Sequence, residues 1–346
     1  MLLLIQQVLK GYEMNFDEDY YKKTIEHYCY NPLDFAPIDF EFLSIPREVM
    51  RAKWLCHSGI EKLGSVKKDF IITTGVGLSG IPHMGTLSQI LRVVFLQKNG
   101  FNVQMVLGDL DSYNARNKNL QYVVDLSKRY EDFICQLGFD ANQGILRNQR
   151  DYPEINQRAY LLSKFVSDQD FLDTEEDLSN LYIKEKAYNG ITFPVKQAIL
   201  LMLADFIELS NNYSAIIVML GLEEHKYVRL ARAIVERAEI DFNICSIYSR
   251  IIRGLNGYPK MSKSIHGSAI SVDMSPAEIR NSILNESDDY DVPENSVIYQ
   301  MMSAVSDYSS EEIAAIYVEC QSRNAFWQLR KKDYAERLVR ICANWK

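Results

Sequence analysis

Residues 69–100 read DFIITTGVGLSGIPHMGTLSQILRVVFLQKNG, and the succession of textures within them decides the fold. DFIITT is an apolar, β-branched run of strand length, and LSQILRVVFLQKNG has helical spacing closed by a glycine. Between them, Gly75–Thr86 holds four glycines, one proline and one histidine. Glycine permits positive φ and proline fixes a chain direction, so a tight turn accounts for the local composition. The alternation continues in NVQMVLGD and NLQYVVDLSKRYEDFICQLG, then resumes in YSAIIVMLG, HKYVRLARAIVERAEI and NICSIYS. Strands alternating with helices predict an α/β fold, a Rossmann-like doubly wound parallel sheet.

Three regions follow from this pattern. Residues 1–67 read as an N-terminal helical extension, with a helix across PREVMRAKWLCHSGIEKLG. Residues 68–273 form the α/β catalytic domain, with a helical insertion at about 150–190 and a glycine-bounded loop at 257–268. Residues 274–346 read as a helical C-terminal domain. The acidic stretch DQDFLDTEEDLSN in the insertion is a solvated face or loop.

Composition narrows the class. A chain of 346 residues, 47% hydrophobic and 24% charged, matches a soluble globular protein. The opening MLLLIQQVLK is too short and lacks the cleavage pattern of a secretory signal, and no stretch is long enough for a membrane span. Six scattered cysteines without a CxxC pair argue against a disulfide framework and a zinc site, and fit a cytoplasmic protein with no bound metal. At a net charge of −8, any nucleic-acid contact must be a local patch.

The glycine-rich turn sits at the carboxyl end of a strand, where open α/β sheets bind ligands. Gly75, Gly77 and Gly80 let the backbone approach a flat or anionic ligand, and His83 stands in the first turn of the next helix. The spacing is neither the dinucleotide fingerprint nor a Walker A loop, which leaves another kind of nucleotide site. GLNGYPKMSKSIHGS then supplies Lys260, Met261, Ser262, Lys263 and Ser264. Two lysines three apart, interleaved with serines, suit a polyphosphate whose charge shifts during reaction.

PHMG followed by KMSKS, on this alternation, resembles the class I aminoacyl-tRNA synthetases. GLEEHKYVRLARAI resembles the G-x-D-Q-x-x-Y/H-x-x-L-x-R segment of the tryptophanyl and tyrosyl subclass, and TFPVKQA resembles its Tyr-x-x-x-Gln helix. The approach TG-x-G-x-S is most similar to the tryptophanyl type. The resemblance covers about residues 68–290.

It implies that His83 contacts the ATP phosphates and that Gly85 lets adenine lie against the backbone. Thr86 replaces the motif's final histidine. Lys260 and Lys263 would hold the departing pyrophosphate, beside Met261 and Ser262, with Mg²⁺ bridging the phosphates. Gly221 would pack on the adenosine and Glu223 would take the ribose hydroxyls, while Glu224 stands where the subclass has glutamine. Gln197 would bind the substrate ammonium, with Phe193 in place of its tyrosine partner and Asp109 as a second anchor. The subclass reads its aromatic substrate with an aspartate three residues after that glutamine, and here the place is Leu200. A pocket so altered prefers an apolar amino acid over tyrosine.

Other residues carry simpler readings. His225 and His266 are structural or solvated. Asp111, Tyr113 and Arg116 fit a pocket wall or a capped loop equally well. Arg229 and Arg232 fit an exposed helix face, and Trp54, Trp327 and Trp345 are packing residues.

Three functions are compatible with these features. The first is amino-acid activation by ATP with transfer to tRNA, in a homodimer as the resemblance implies. The second is a tRNA-independent relative acting on a small-molecule or protein acceptor, suggested by the short stretch after Ser264. The third is a non-catalytic nucleotide-binding regulator.

Overall fold

The structure is a computed structural model and describes residues 18–33, 47–63, 70–175, 191–262, 267–287 and 290–346. Its described strands are β1 (Asn31–Pro32), β2 (Cys56–Ser58), β3 (Phe70–Gly77), β4 (Val103–Gly108), β5 (Ile145–Asn148), β6 (Ala215–Gly221) and β7 (Asn243–Ser249). They form one sheet in the order β1-β2-β7-β6-β3-β4-β5. From β7 to β5 every pairing is parallel, as predicted. The chain builds outward from β3 through β4 to β5, then returns to β3's other side as β6 and β7. That reversal puts the topological switch point between the carboxyl ends of β3 and β6, where ligand crevices open.

β6 shows why the sequence folds this way. All seven residues of AIIVMLG are buried, as a central parallel strand requires. Alternate side chains enter two cores. Ile217 and Met219 face the core shared with the helix Met84–Lys98, whereas Ile216, Val218 and Leu220 face the helices Phe193–Ile207 and His225–Arg237.

The C-terminal helices Pro276–Leu284, Val297–Ala304, Ser310–Ser322 and Ala325–Cys342 continue the first core rather than building their own. Two of them start at capping boxes, Ser275 with Glu278 and Ser309 with Glu312. Trp345 closes the chain edge-to-face on Tyr130 and Phe133, and Trp54 and Trp327 are likewise core residues.

The N-terminal region departs from a purely helical extension. The helix Glu18–His27 is present, but the helix expected across residues 46–64 stops at Lys53. Cys56–Ser58 instead pairs antiparallel with β7, and Asn31–Pro32 pairs with Cys56–Ser58. The unpaired edge of β7 supplies backbone partners that a helix would leave unused, and Gly59, at φ 81°, turns the chain out of the strand.

β5 is a second departure, since its four residues, with Arg147 and Asn148, carry no apolar alternation. The expected insertion contains the helices Pro153–Leu162 and Asp168–Leu172; residues 176–190 lie outside the described set.

Candidate active site

His83 ends the turn after β3 and caps the helix Met84–Lys98. Its Nδ1 accepts the N–H of Gly85 at 3.0 Å, so the proton of the neutral ring sits on Nε2. A Cβ at Gly85 would lie 2.7 Å from His83 Cε1, so glycine is what permits this ring position. The turn is tied to the far side of the lysine-rich loop. His83 pairs with Ser271 in an antiparallel bridge, Met84 N–H donates to Ile270 O at 3.1 Å, and Val272 N–H donates to Pro82 O at 3.0 Å.

A cleft opens over these elements in two adjoining lobes, with Gly77, His83, Thr86, Glu224, Lys260 and Met261 lining both. The smaller lobe, about 190 Å³, also collects Gly75, Gly85, Gly221 and Glu223. The proposed phosphate and adenosine residues therefore converge here, from segments far apart in sequence. A Cβ at Gly75 would meet Val106 O at 3.2 Å, so a side chain there would crowd the backbone of β4 by a few tenths of an ångström. Glu223 is 7% exposed, and Lys260 Nζ stands 3.7 Å from its Oε1. Lys263 falls outside the described residues, as do Ser264 and His266. The base of their loop is closed where Ser262 N–H donates to Ser268 Oγ at 3.2 Å. Ser262 lines the larger lobe.

Two further supports of the smaller lobe were not legible in the sequence. Arg92, on the capped helix, is buried and lines it; burial pulls its guanidinium down to about 10, against the opposing charge of Glu223. Arg250 and Ile251 form another wall and are held by the N-terminal helix. Glu18 pairs with Arg250, and Ile251 N–H donates to Tyr21 Oη at 3.1 Å.

The larger lobe, about 330 Å³, lies against the helix Phe193–Ile207, and here the register differs from the sequence reading. Val195, Ala198, Ile199 and Met202 line it. Gln197 is exposed, Phe193 is 71% exposed, and Leu200 packs against the second core; none of the three lines the cleft. The spacing of four and then three, begun at Val195, lands on Ile199 and Met202.

Asp109 is also turned away. It is fully buried, and its Oδ1 accepts the N–H groups of Leu110, Gln149 and Arg150 at 2.9, 3.0 and 3.2 Å. Backbone donors past the end of β5 have no strand partner and capture this carboxylate.

Asp111 lines the lobe instead. Its N–H donates to Gln149 Oε1 at 3.1 Å, while its Oδ1 is sealed from solvent without a hydrogen-bond partner among the described residues. Burial raises its carboxyl to about 8, reinforced by the charges of Asp205 and Asp109. Asp205 is itself held by Arg147 at 2.6 Å and Gln149 Nε2 at 2.8 Å, in a buried network beneath the lobe. The sequence signal for Asp111 was two carboxylates two apart at a strand end, which a capped loop explains equally well.

The remaining candidates are structural. His225 is fully buried and shares a 2.8 Å hydrogen bond with Tyr30 Oη. Arg232 is not on an exposed face: it donates to Ile244 O, Ser58 Oγ and Ser58 O, fastening β2 to β7. Arg229 lies over the ring of Tyr28. Among the described residues, no group of three or more His, Cys, Asp or Glu could hold a metal, and no helix is long and apolar enough to cross a membrane.

Known proteins match this arrangement. The family described as tRNA synthetases class I (W and Y) matches residues 65–340. A tryptophan–tRNA ligase of Methanocaldococcus jannaschii is 26% identical over 353 residues, covering 94% of this chain and 91% of that protein. A tyrosine–tRNA ligase of Methanopyrus kandleri is 25% identical over 234 residues, 65% of this chain and 66% of that protein. The tryptophanyl-tRNA synthetase structure from Aeropyrum pernix has the same fold, with a TM-score of 0.78 at 21% identity over 94% of this chain and 92% of that one.

Proposed function

We propose that this chain, which belongs to the class I tRNA synthetases (W and Y), activates an amino acid with ATP and transfers it to tRNA. The observation that carries this reading is the smaller lobe. The His83 turn, Gly221–Glu223 and Lys260 surround one space, and hydrogen bonds join the two loops that would handle phosphate.

The substrate carboxylate, already ionised, attacks the α-phosphorus of ATP in line, giving an aminoacyl-adenylate and pyrophosphate. No general base is needed, so the protein contributes position and charge. His83 Nε2–H donates to a phosphate oxygen. Lys260 leaves Glu223 and follows the departing pyrophosphate, while Glu223 takes the ribose hydroxyls. Lys263 would add a second mobile charge. The substrate ammonium rests on Asp111, which lines the larger lobe. Bound Mg²⁺ would neutralise phosphate charge, and it would arrive on the nucleotide, because the described residues provide no cage for it. A ribose hydroxyl of the tRNA 3′ end then attacks the activated carbonyl and releases AMP.

A homodimer fits the apolar side chains exposed on the insertion and the adjoining helix, Tyr160, Leu161, Leu172 and Phe193. Free cysteines fit a cytoplasmic location. The test is charging of total tRNA with each labelled amino acid. Acid-stable, base-labile label on tRNA supports the reading, and adenylate formation without tRNA labelling supports the tRNA-independent alternative.

A further inference from the structure

The smaller lobe contains a buried cation that the phosphate chemistry does not use. Arg92 is 5% exposed and lines this lobe from the helix Met84–Lys98. It lies two helical turns beyond Gly85, on the same face. Two hydrogen bonds fix its guanidinium. Nε–H donates to Lys53 O at 3.1 Å, and Nη1–H donates to Ser88 Oγ at 3.1 Å. Ser88 Oγ–H in turn donates to Gly85 O at 2.7 Å, which ties the arginine to the turn that carries His83. Among the described residues, Nη2 makes no hydrogen bond and no carboxylate forms an ion pair with Arg92. A guanidinium buried in this way is costly, and an anion across the lobe offsets part of that cost.

That anion is Glu223. Both side chains line the smaller lobe, and the charge of Glu223 opposes the effect of burial on the Arg92 guanidinium. Gly221 leaves room for the carboxylate, since a Cβ there would stand 2.6 Å from Glu223 Cδ. The other described arginine and lysine of the lobe are committed elsewhere. Arg250 is paired with Glu18, and Lys260, 3.7 Å from Glu223, is the charge that travels with pyrophosphate.

We infer that Arg92 is a positioning residue for ribose recognition, the stationary counter-charge that keeps Glu223 ionised and turned into the lobe when Lys260 leaves. The inference rests on the activation reading for the placement of ATP, with its phosphates toward His83 and its ribose on Glu223. In a lobe withdrawn from water, a carboxylate deprived of nearby positive charge tends to take up a proton. A neutral carboxyl then accepts the ribose hydroxyls more weakly than a carboxylate does. A guanidinium held at two points stays charged at neutral pH and stays in place.

Equilibrium binding of ATP and 2′,3′-dideoxy-ATP to the full chain, by calorimetry, isolates the ribose hydroxyls. The wild type is expected to prefer ATP by at least about tenfold, the usual contribution of one hydrogen bond to a charged group. Arg92→Gln is expected to cut that preference to below about threefold, and Arg92→Lys, which keeps the charge, to restore most of it. The same loss is expected of Arg92→Met, so the result does not depend on one neutral variant folding. Glu223→Gln is expected to abolish the preference, with no further change when Arg92→Gln is added. Equal weakening of both nucleotides in the neutral Arg92 variants would make the arginine a packing residue and overturn the inference. A wild type without preference for ATP would overturn it too. Pyrophosphate exchange is recorded in parallel. The expected preferences without amino-acid-dependent exchange would remove the activation reading and leave the role of Arg92 standing.

Discussion

Lys260 Nζ lies 3.7 Å from Glu223 Oε1, joining the lysine-rich loop to the turn after β6 across the mouth of the smaller lobe. Both groups are largely withdrawn from water, so their attraction is not fully screened. A cation held this way is restrained at rest and free to follow a stronger anion. Lys260→Ala is therefore expected to lower the rate of adenylate formation roughly 10²–10³-fold, the usual cost of one transition-state charge contact. Single-turnover kinetics checks this, with the Kd for the amino acid expected to stay within about threefold.

Gly85→Ala isolates the placement of His83. The added Cβ would stand 2.7 Å from His83 Cε1, so the ring must turn and the bond to Nδ1 is lost. Losing that cap costs about 0.5–2 kcal/mol, which the better helix propensity of alanine offsets by up to about 1 kcal/mol. Melting should move little, while kcat/KM for ATP falls at least about tenfold. A large stability loss with unchanged kinetics would make Gly85 a packing residue only.

Asp111→Asn separates binding from stability through pH. Burial and the neighbouring Asp205 and Asp109 raise the Asp111 carboxyl from 3.8 to about 8. Arg147, Arg150 and Arg116 are the nearby cations on the surrounding segments, and the first two are engaged with Asp205 and Asp109. The folded chain holds this proton where the unfolded chain has lost it. Stability from this group is therefore fully present below pH 4 and is lost as pH rises toward about 8. The asparagine variant should accordingly gain melting temperature over wild type as pH rises from 6 to 8.5. Amino-acid affinity of the wild type should rise over the same interval, as the carboxylate becomes able to receive an ammonium, and the variant should stay weak and flat.

The Arg147–Asp205 pair should be needed as a pair. It spans 2.6 Å, with the two side chains 4% and 3% exposed. Asp205→Ala leaves a buried guanidinium uncompensated and is expected to cost about 3–5 kcal/mol in urea unfolding. Replacing both with apolar residues of similar size should recover much of that loss. Equal instability in the double variant would place the energy in Gln149 and Asp109 rather than in the pair.

The β3–turn–helix unit was legible because a strand, a glycine-rich turn and a capped helix each carry a different periodicity. That Lys260, Gly221 and Glu223 share one lobe was legible because their local text resembles a known motif. The helix Phe193–Ile207 was not, for a physical reason. FPVKQAILLMLADFI is apolar on most sides, so its period marks no single inward face, and a match placed on Gln197 and Leu200 fell on positions that do not line the cleft. β2 and β5, at three and four residues, are too short to show an alternation. Asp109 and Asp111 look equivalent in sequence. Only the folded chain brings the N–H groups of Gln149 and Arg150 to the first and leaves the second facing the lobe.

The most direct test of the account is amino-acid-dependent exchange of labelled pyrophosphate into ATP by the purified chain, run across all twenty amino acids. The account predicts exchange with one or a few amino acids. It also predicts loss of that exchange by at least about 10²-fold in Lys260→Ala. Exchange with no amino acid, although ATP binds, would contradict it and leave a nucleotide-binding protein without the chemistry of activation.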